Sequence, residues 1–500
     1  MFEYFFMNID AIIVFGYLVA TLVYGLYVGK NVKNMNDYAL GGRNFSTPVL
    51  AATILATYAS SSGFYIDLTK GYEDGLYNLI VTLALPFSMV FVAYFIAPRM
   101  KEFLGKLTVS EMMEDLYGTK VRIISSIPIF LVSAGFVAIQ MKVLSSMLEY
   151  FSGFNNLSAI IITSMVVILY SAFGGIRAVT FTDFIQFATF GIAIPIVFAN
   201  VFLSLDLEAH PTKQTDLFNH MFNFEGSKLN YYITLFIYFL IPDLNGAITQ
   251  RMLMARDVRQ IRESITIASL LLVIVFVLTN FIGFFIHVEN PSLESKEILP
   301  YLIDNYTNHG VKGFLVIGII AMAMSTADSN LNVGAISFSH DFCKPLGLIS
   351  LKNELVVSKV FTIICGIFGI LLALKFQDLI SLIFFVFSFY LPVVSVPLLL
   401  ALFGFRSSEK AVIVGMIFGI ATVLLWDNVM NALGFTDPIS SFLPGMGAHM
   451  IGLFGAHYLL GEKGGWGQGP GNGPFNSPPK DFWENNAAQK INLYLNEQVK

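Results

Sequence analysis

The feature of this 500-residue sequence most suggestive of chemistry is an apolar run that turns polar within the length of one helix. Three of its polar residues, Ser325, Ser329 and Asn332, share one helix face by their i, i+4 and i, i+3 spacing. Asp328 adds a carboxylate and Thr326 another hydroxyl. Hydroxyl and carboxylate oxygens are hard ligands that suit an alkali cation better than a soft metal. The pattern predicts an ion site within a helix spanning about 313–338.

The same residues also have a purely structural interpretation. Serine and threonine often hold membrane helices together through hydrogen bonds, and Ser325 or Thr326 alone would fit that role equally well. Asp328 is different, because an ionisable residue in a membrane segment is costly unless it faces a cavity or a partner. For the cluster as a whole we therefore predict a functional site.

Composition identifies the class of protein that must position these residues. The chain is 55% hydrophobic and 13% charged, with a mean hydropathy of +0.69, which is typical of a polytopic membrane protein. The two cysteines, Cys343 and Cys365, show no disulfide or thiolate-metal pattern. No His/Asp or Cys/His arrangement has catalytic spacing, so we do not expect an enzyme. Nothing indicates a nucleic-acid partner.

Membrane-length apolar runs predict an all-α fold of about thirteen transmembrane helices. Most Lys and Arg residues fall in alternate loops, so the positive-inside rule places the N-terminus outside and the C-terminus in the cytoplasm of a cell-membrane protein. The predicted spans are 11–28, 47–68, 77–97, 122–148, 157–173, 181–205, 231–250, 265–287, 312–338, 356–375, 378–403, 411–432 and 441–460.

The predicted domain organisation is a transmembrane domain over 1–460 followed by two short segments. Residues 461–479 are rich in glycine and proline, as flexible linkers are. Residues 480–500 form a cytoplasmic tail with helical potential. A linker followed by such a tail is also consistent with a connection to a C-terminal signalling module.

The second and seventh predicted spans contain helix breakers. The second has three consecutive serines followed by Gly63, and the seventh combines Pro242 and Gly246 with Asp243 and Asn245. Broken helices free backbone groups that can bind ions or anionic groups near the membrane midplane, as in transporters with inverted repeats. Two five-helix repeats, at about 47–205 and 231–403, would each begin with a broken helix. An ordinary helix kink is the alternative interpretation of Pro242 and Gly246.

The sequence after the fifth span resembles a family signature. Residues 174–186 read Gly-Gly-Ile-Arg-Ala-Val-Thr-Phe-Thr-Asp-Phe-Ile-Gln, similar to the Gly-Gly-x-x-Ala-Val-x-x-Thr-Asp-x-x-Gln motif of the sodium:solute symporter family. With the Met-Ser-Thr-Ala-Asp-Ser run at 324–329, the resemblance covers about residues 8–460 and points to the proline/pantothenate-like branch. It implies a LeuT-like core of 5+5 inverted repeats, with Na⁺ as the coupling ion.

The resemblance also implies sodium-binding positions. The main site would take the backbone carbonyls of Ala56, Ala59 and Met322 and the side-chain oxygens of Ser325 and Thr326. A second site would correspond to Asp183, Asp328 and Ser329, where two carboxylates would either hold a cation or share a proton. Capping of the helix after the Gly-Gly turn is an alternative role for Asp183.

The solute should bind between the two broken helices. Proline transporters carry an aspartate where this chain has Ser60, so the solute is not safely proline. Asp67 and Lys70, spaced i, i+3, could instead pair with each other at the outer vestibule, which we favour over solute contact. The candidate solute-binding residues are Ser61, Ser62, Tyr65, Asp67, Gln140, Asp243 and Asn245, with Phe387 and Tyr390 as aromatic candidates.

We therefore expect a secondary active transporter, surrounded by membrane lipid, that couples Na⁺ to a small organic solute by alternating access. An amino acid or a carboxylate such as proline or pantothenate is the expected solute. The alternative is a sensor, in which a transporter-like domain signals solute occupancy to a module such as a histidine kinase beyond the linker.

Overall fold

A computed structural model of the protein describes residues 9–152, 155–205, 226–242, 244–350, 352–376, 379–434 and 440–467, and these are almost entirely helical. The membrane-length helices are joined by short connections and by small helices. The helices are α1 (Ile9–Gly29), α2 (Met35–Leu40), α3 (Thr47–Tyr58), α4 (Ser61–Asp74), α5 (Leu76–Phe103), α6 (Val109–Tyr117), α7 (Thr119–Ser152), α8 (Asn156–Ser204), α9 (Leu229–Leu240), α10 (Gly246–Met254), α11 (Val258–Glu289), α12 (Ile298–Tyr306), α13 (Val311–Cys343), α14 (Glu354–Lys375), α15 (Leu379–Tyr390, continuing through Leu391–Ser395 and Val396–Leu402), α16 (Glu409–Ala432) and α17 (Phe442–Leu459).

Nine helices in the described part of the chain are long and apolar enough to cross a membrane, and α3 with α4 forms one further bent span. Helices are present at all the predicted span positions, but the total of about thirteen spans stays a prediction. The central helix, α13, is buried along almost its whole length, which explains why its sequence tolerates so many polar residues.

Helix α8 is not a straight rod, because its backbone leaves the helical region at Gly175 (φ 53°, ψ −159°). In a straight helix, Tyr170 and Asp183 would lie about 20 Å apart. Here they belong to one buried cluster, since Tyr170 bonds to Asp328 and Asp183 bonds to Arg251 beside the same helix α13. The Gly-Gly turn therefore divides α8 into two helices that return past α13.

The two predicted breaks are present in the fold. Between α3 and α4 the chain bends by 57°, with Ala59 and Ser60 outside helical geometry. Between α9 and α10 the helix stops at Leu240 and restarts at Gly246. The side chain of Asn245 caps the new helix by accepting a hydrogen bond from the Ile248 amide (3.0 Å). The kink alternative is thus wrong for the seventh span, because several residues separate the two helices.

Protein groups satisfy the backbone freed at these breaks. The carbonyl of Leu244 accepts hydrogen bonds from the Tyr390 hydroxyl (2.5 Å) and the Thr249 hydroxyl (2.9 Å). At the other break, the Ser60 hydroxyl accepts a hydrogen bond from the Gly63 amide (3.0 Å). Irregular backbone is tolerated at membrane depth only where protein or an aqueous cavity replaces lipid in this way.

The described start of the predicted flexible linker is held against the helix bundle. Strand β1 (Phe405–Arg406) pairs antiparallel with strand β2 (Gly465–Trp466). The Trp466 ring packs on buried Phe405 with centroids 5.3 Å apart. Composition predicted flexibility here because glycine is abundant, but the tryptophan supplies the apolar contact that orders residues 465–466. Residues 468–500, which include the rest of the predicted linker and the tail, lie outside the described part.

Helix α4 approaches α11 closely enough that only glycine fits at two positions. A Cβ atom on Gly71 would lie 2.5 Å from the carbonyl oxygen of Asn280, and one on Gly283 would lie 2.0 Å from that of Leu68. Small residues permit this kind of backbone approach between membrane helices. The contact fixes the height of Asp67 on α4 relative to Asn280 on α11.

We expect Gly283→Ala to destabilise the protein by about 1–3 kcal/mol, because the added methyl group forces two backbones apart. The measurement is the melting temperature of the detergent-purified protein. Gly16→Ala is the matched control, since nothing lies within 4 Å of a Cβ atom there. Equal melting temperatures for both variants would show that α4 and α11 are not so tightly packed.

Candidate functional site

The main sodium set predicted from the sequence lies where α13 crosses the break after α3. The Ser325 hydroxyl lies 2.7 Å from the Ala56 carbonyl oxygen and 3.0 Å from that of Met322. The Thr326 hydroxyl lies 3.2 Å from the Met322 carbonyl oxygen and 3.4 Å from that of Thr57. Four of the five predicted ligand oxygens are therefore gathered around one point, supplied by two helices.

The fifth predicted ligand, Ala59, is the residue at which α3 loses helical geometry (φ −77°, ψ 71°). A carbonyl at a helix end has no partner within the helix, which leaves it available to a cation. All five residues are buried. A serine hydroxyl carries one proton and two lone pairs, so Ser325 can donate to one carbonyl and still offer an oxygen to an ion. This arrangement of hard oxygens without a formal charge fits Na⁺.

The predicted second set, Asp183, Asp328 and Ser329, is also brought together, but around the side chain of Arg251, which no sequence pattern indicated. The guanidinium of Arg251, from α10, lies 3.3 Å from Asp183 Oδ2 and donates to the Ser329 hydroxyl. Its side chain is fully buried. Arg251 therefore already supplies one positive charge among the three predicted ligands.

Each carboxylate of this second set has further hydroxyl partners. Asp183 accepts a hydrogen bond from Thr53, and Asp328 accepts hydrogen bonds from Tyr170 (2.7 Å) and Ser329 (3.3 Å). Asp183 does not cap the helix after the Gly-Gly turn, because it lies two turns inside that helix. The capping alternative is therefore wrong. Asp183 Oδ1 has no hydrogen-bond partner among the described residues, although it is buried.

Asn332, on the same face of α13, belongs to a different network. Its side chain accepts a hydrogen bond from Gln250 (3.0 Å) and donates to the Tyr38 carbonyl (3.3 Å). These contacts tie α13 to α10 and α2, so Asn332 has the structural role that was the alternative for the whole cluster.

A cavity of about 180 Å³ opens between the two broken helices, beside the main sodium set. Thr57 and Thr326 line it, so the wall of the cavity includes one predicted sodium ligand. Three of the predicted solute-binding residues, Ser62, Asp67 and Asn245, also line it, as does the predicted aromatic Phe387. The remaining wall is mainly aromatic and aliphatic.

The other predicted solute-binding residues have different positions. Ser61 and Gln140 are linked to Ser62 by hydrogen bonds. Ser61 Oγ donates to Gln140 Oε1 (2.7 Å), and Gln140 Nε2 donates to Ser62 Oγ (3.2 Å). Tyr65 instead directs its hydroxyl toward the Ser295 carbonyl (3.4 Å), away from the cavity. Asp243 lies outside the described residues.

The favoured pairing of Asp67 with Lys70 is wrong. Lys70 Nζ lies 2.6 Å from Glu73 and 3.7 Å from Asp74, which are its neighbours toward the end of α4. Asp67 instead accepts a hydrogen bond from Asn78 Nδ2 (3.1 Å). Helical spacing allowed both partners for Lys70, and the bend before α4 turns Asp67 inward.

Two functional residues were missed by sequence reasoning for different reasons. Asn78 lies in a span whose apolar character gave no reason to single it out. Arg251 directly follows the predicted span 231–250 and so falls among the loop residues of the positive-inside rule, although it lies within α10. The only signal for Arg251 was its closeness to the break at 242–246, because a short half-helix after a break keeps its first turns within the bundle.

An ion network closes the end of the bundle at which α13 terminates. Arg122 bonds to Glu114 (2.5 Å) and Asp341 (3.1 Å), and His340 bonds to Glu111 (2.9 Å) and to Glu354. Burial raises the pKa of Glu111. Hydrogen bonds from His340 and the Leu107 amide and the nearby charge of Arg122 have the opposite effect and are stronger together, so the pKa is lowered to about 2. This α13-end network joins α6, α7, α13 and α14.

Comparison with known proteins gives the same assignment as the geometry. The sequence model of the sodium:solute symporter family matches residues 38–419. The osmoregulated proline transporter OpuE of Bacillus subtilis is 25% identical over 89% of this chain and 94% of its own length. The sodium/sialic acid symporter SiaT of Proteus mirabilis is 27% identical over 73% of this chain and 78% of its own length.

The fold comparison is consistent with this. A solved structure of a substrate-bound, outward-open Na⁺-coupled sialic acid symporter superposes with a TM-score of 0.80, at 23% identity, and covers 90% of this chain and 97% of that one. The predicted LeuT-like all-α fold is confirmed, as is the prediction of a Na⁺-coupled transporter instead of an enzyme. The match over more than half of the sequence shows that this chain belongs to the sodium:solute symporter family.

Proposed function

We propose that this protein couples uptake of a small organic solute to Na⁺ bound by Ala56, Ala59, Met322, Ser325 and Thr326. The observation that carries the proposal is the 2.7 Å contact between the Ser325 hydroxyl and the Ala56 carbonyl, which joins α13 to the break after α3. An ion that takes both oxygens as ligands holds these two helices together. Na⁺ binding therefore favours the conformation in which they touch.

Coupling follows from the position of the solute cavity. Thr326 belongs to the sodium set and also lines the cavity, so the ion orders a wall to which the solute binds. Movement of α13 away from α3 would disperse the five oxygens and release the ion. The α13-end network must break for that movement to open a path on its side of the bundle.

The membrane arrangement remains a proposal as well. The distribution of Lys and Arg supports an external N-terminus and a cytoplasmic C-terminus in the cell membrane, which places the α13-end network on the cytoplasmic side. The extensive exposed apolar surface of α1, α14 and α16 fits lipid contact.

The C-terminal signalling module stays a prediction, because it concerns sequence beyond the described residues. The relatives found are transporters, which favours transport over the sensor alternative.

We also propose that Asp183, Asp328 and Ser329 take part in binding a second cation, next to Arg251. Two carboxylates and one guanidinium leave this buried cluster with one negative charge more than positive charges. An uncompensated charge inside a membrane protein is costly, so a monovalent cation would stabilise the cluster. The buried, unpartnered oxygen of Asp183 supports this proposal.

The proposed function is tested by uptake into proteoliposomes with an imposed Na⁺ gradient, compared with K⁺ and proton gradients, over a panel of amino acids and carboxylates. Accumulation that requires the Na⁺ gradient is the expected result. Accumulation that is equal with Na⁺ and K⁺ would contradict Na⁺ coupling.

Ser325→Ala and Thr326→Ala should each raise the Na⁺ concentration for half-maximal uptake by about tenfold, because each removes one ligand oxygen from a buried ion. The measurement is initial uptake rate against Na⁺ concentration. Thr279→Ala is the matched control, since the partner of that buried hydroxyl among the described residues is the Val275 carbonyl of its own helix. An unchanged Na⁺ requirement in both site variants would contradict the main site.

Asp328→Asn should reduce the Hill coefficient for Na⁺ from about two to about one, because the cluster then has no net charge for a second cation to neutralise. The substitution preserves side-chain size, and size-exclusion chromatography of the purified variant checks its folding. A Hill coefficient near one in the unmodified protein, unchanged in the variant, would show that Arg251 alone satisfies the cluster.

A further inference from the structure

Asp67 is a buried carboxylate in the wall of the solute cavity. Only 4% of its surface is exposed, and its described side-chain partners are the amides of Asn78 and Asn280, with Asn78 Nδ2 donating to Asp67 Oδ1 and to Asn280 Oδ1. An amide donor stabilises a carboxylate only in part, because it carries no formal charge. The free energy cost of keeping this charge out of water is therefore not offset by an ion pair.

No positive charge faces Asp67 within the described wall of the cavity. Among the described residues of the wall there is no lysine, arginine or histidine, and Asp67 is the one carboxylic acid. The nearest lysine along the helix, Lys70, is held by Glu73 and Asp74, and its Nζ lies 5.8 Å from the centroid of the Tyr231 ring. Among the described residues, then, no side chain supplies a positive charge to Asp67, which leaves a bound molecule as the candidate source.

The remaining wall suits a cation that carries apolar groups. Phe387 packs edge-to-face with Phe136 (5.3 Å) and with Tyr238 (5.3 Å), which forms a continuous aromatic surface on the cavity. Tyr58, Tyr231 and Phe276 add further rings. The faces of aromatic rings attract alkylammonium groups, while their bulk excludes water around the pair.

We infer that the solute carries a positively charged nitrogen, an amine or alkylammonium group, which binds Asp67 between these rings. The inference rests on the proposed function and narrows its substrate class. It favours amino acids, including cyclic ones, and alkylammonium compounds. It disfavours solutes whose only charge is a carboxylate, such as pantothenate, because that charge would meet Asp67 with no described side-chain cation in the wall to pair with it.

The test compares pairs of solutes that differ only in the charged nitrogen. L-proline is paired with tetrahydrofuran-2-carboxylate, glycine betaine with 3,3-dimethylbutanoate, and choline with 3,3-dimethylbutan-1-ol, alongside the standard amino acids. Each labelled compound is offered to proteoliposomes of the full chain under a Na⁺ gradient and, separately, a K⁺ gradient. We expect Na⁺-driven accumulation of one or more of the nitrogen compounds and of none of their nitrogen-free partners.

Asp67→Asn then tests the assigned residue. It should reduce uptake of the accumulated compound at least tenfold, while thermal stabilisation of the protein by Na⁺ alone stays unchanged. Glu73→Gln is the matched control, because it removes a carboxylate from the same helix outside the cavity and leaves Asp74 to pair with Lys70.

The outcomes separate this inference from the proposed function. Na⁺-driven accumulation only of carboxylates or neutral compounds, or uptake of an amine that Asp67→Asn leaves unaltered, overturns the inference and keeps Na⁺ coupling. Accumulation of an amine that is independent of Na⁺ but lost in Asp67→Asn overturns the proposed coupling and keeps the role of Asp67. Failure of every nitrogen compound to accumulate also overturns the inference. If the variant does not fold, the paired solutes still decide.

Discussion

The constraint on which the rest of this structure depends is that a backbone without helical hydrogen bonds cannot face lipid. Both broken spans meet it by bringing polar groups of neighbouring helices to the break, as when Tyr390 bonds to the carbonyl of Leu244. Such polar groups must be kept away from lipid, so α13, which carries several of them, is buried at the centre of the bundle. The predicted sodium set and the cavity lie next to each other for this reason, since the breaks expose carbonyls to other protein groups instead of lipid.

The second constraint on the structure is the free energy cost of burying charged side chains. In the cluster of Asp183, Asp328 and Arg251, opposite charges lie close together, and hydroxyl groups satisfy part of what remains. At Asp67 the described partners are the side-chain amides of Asn78 and Asn280. The first arrangement resembles a structural ion pair with room for one more cation, and the second resembles a binding site that lacks its ligand's charge. The aspartates in these two places therefore differ in environment, and the difference is whether an arginine guanidinium lies close enough to pair with them.

Much of this arrangement was predictable from the sequence. Three serines with a glycine in one apolar run, and a proline with a glycine in another, predicted where the two helices break, because these residues disfavour a continuous membrane helix. The contact between Ser325 and Ala56 followed from the family resemblance. Helical spacing could not decide whether Lys70 pairs with Asp67 or Glu73, since both lie within one turn. Nor could it show that Arg251 enters the bundle, because that depends on where α10 begins after the break. The order of residues 465–466 depends on one long-range ring contact that composition does not reveal.

The position of Thr326, in both the sodium set and the cavity wall, has a thermodynamic consequence. When one group serves two ligands, each ligand changes the affinity for the other by the same factor. If Na⁺ tightens solute binding, solute must tighten Na⁺ binding equally. If both proposed sites are correct, the shared threonine makes occupancy by one ligand alone less favourable, and so reduces the leakage of ions that would dissipate the gradient without moving solute.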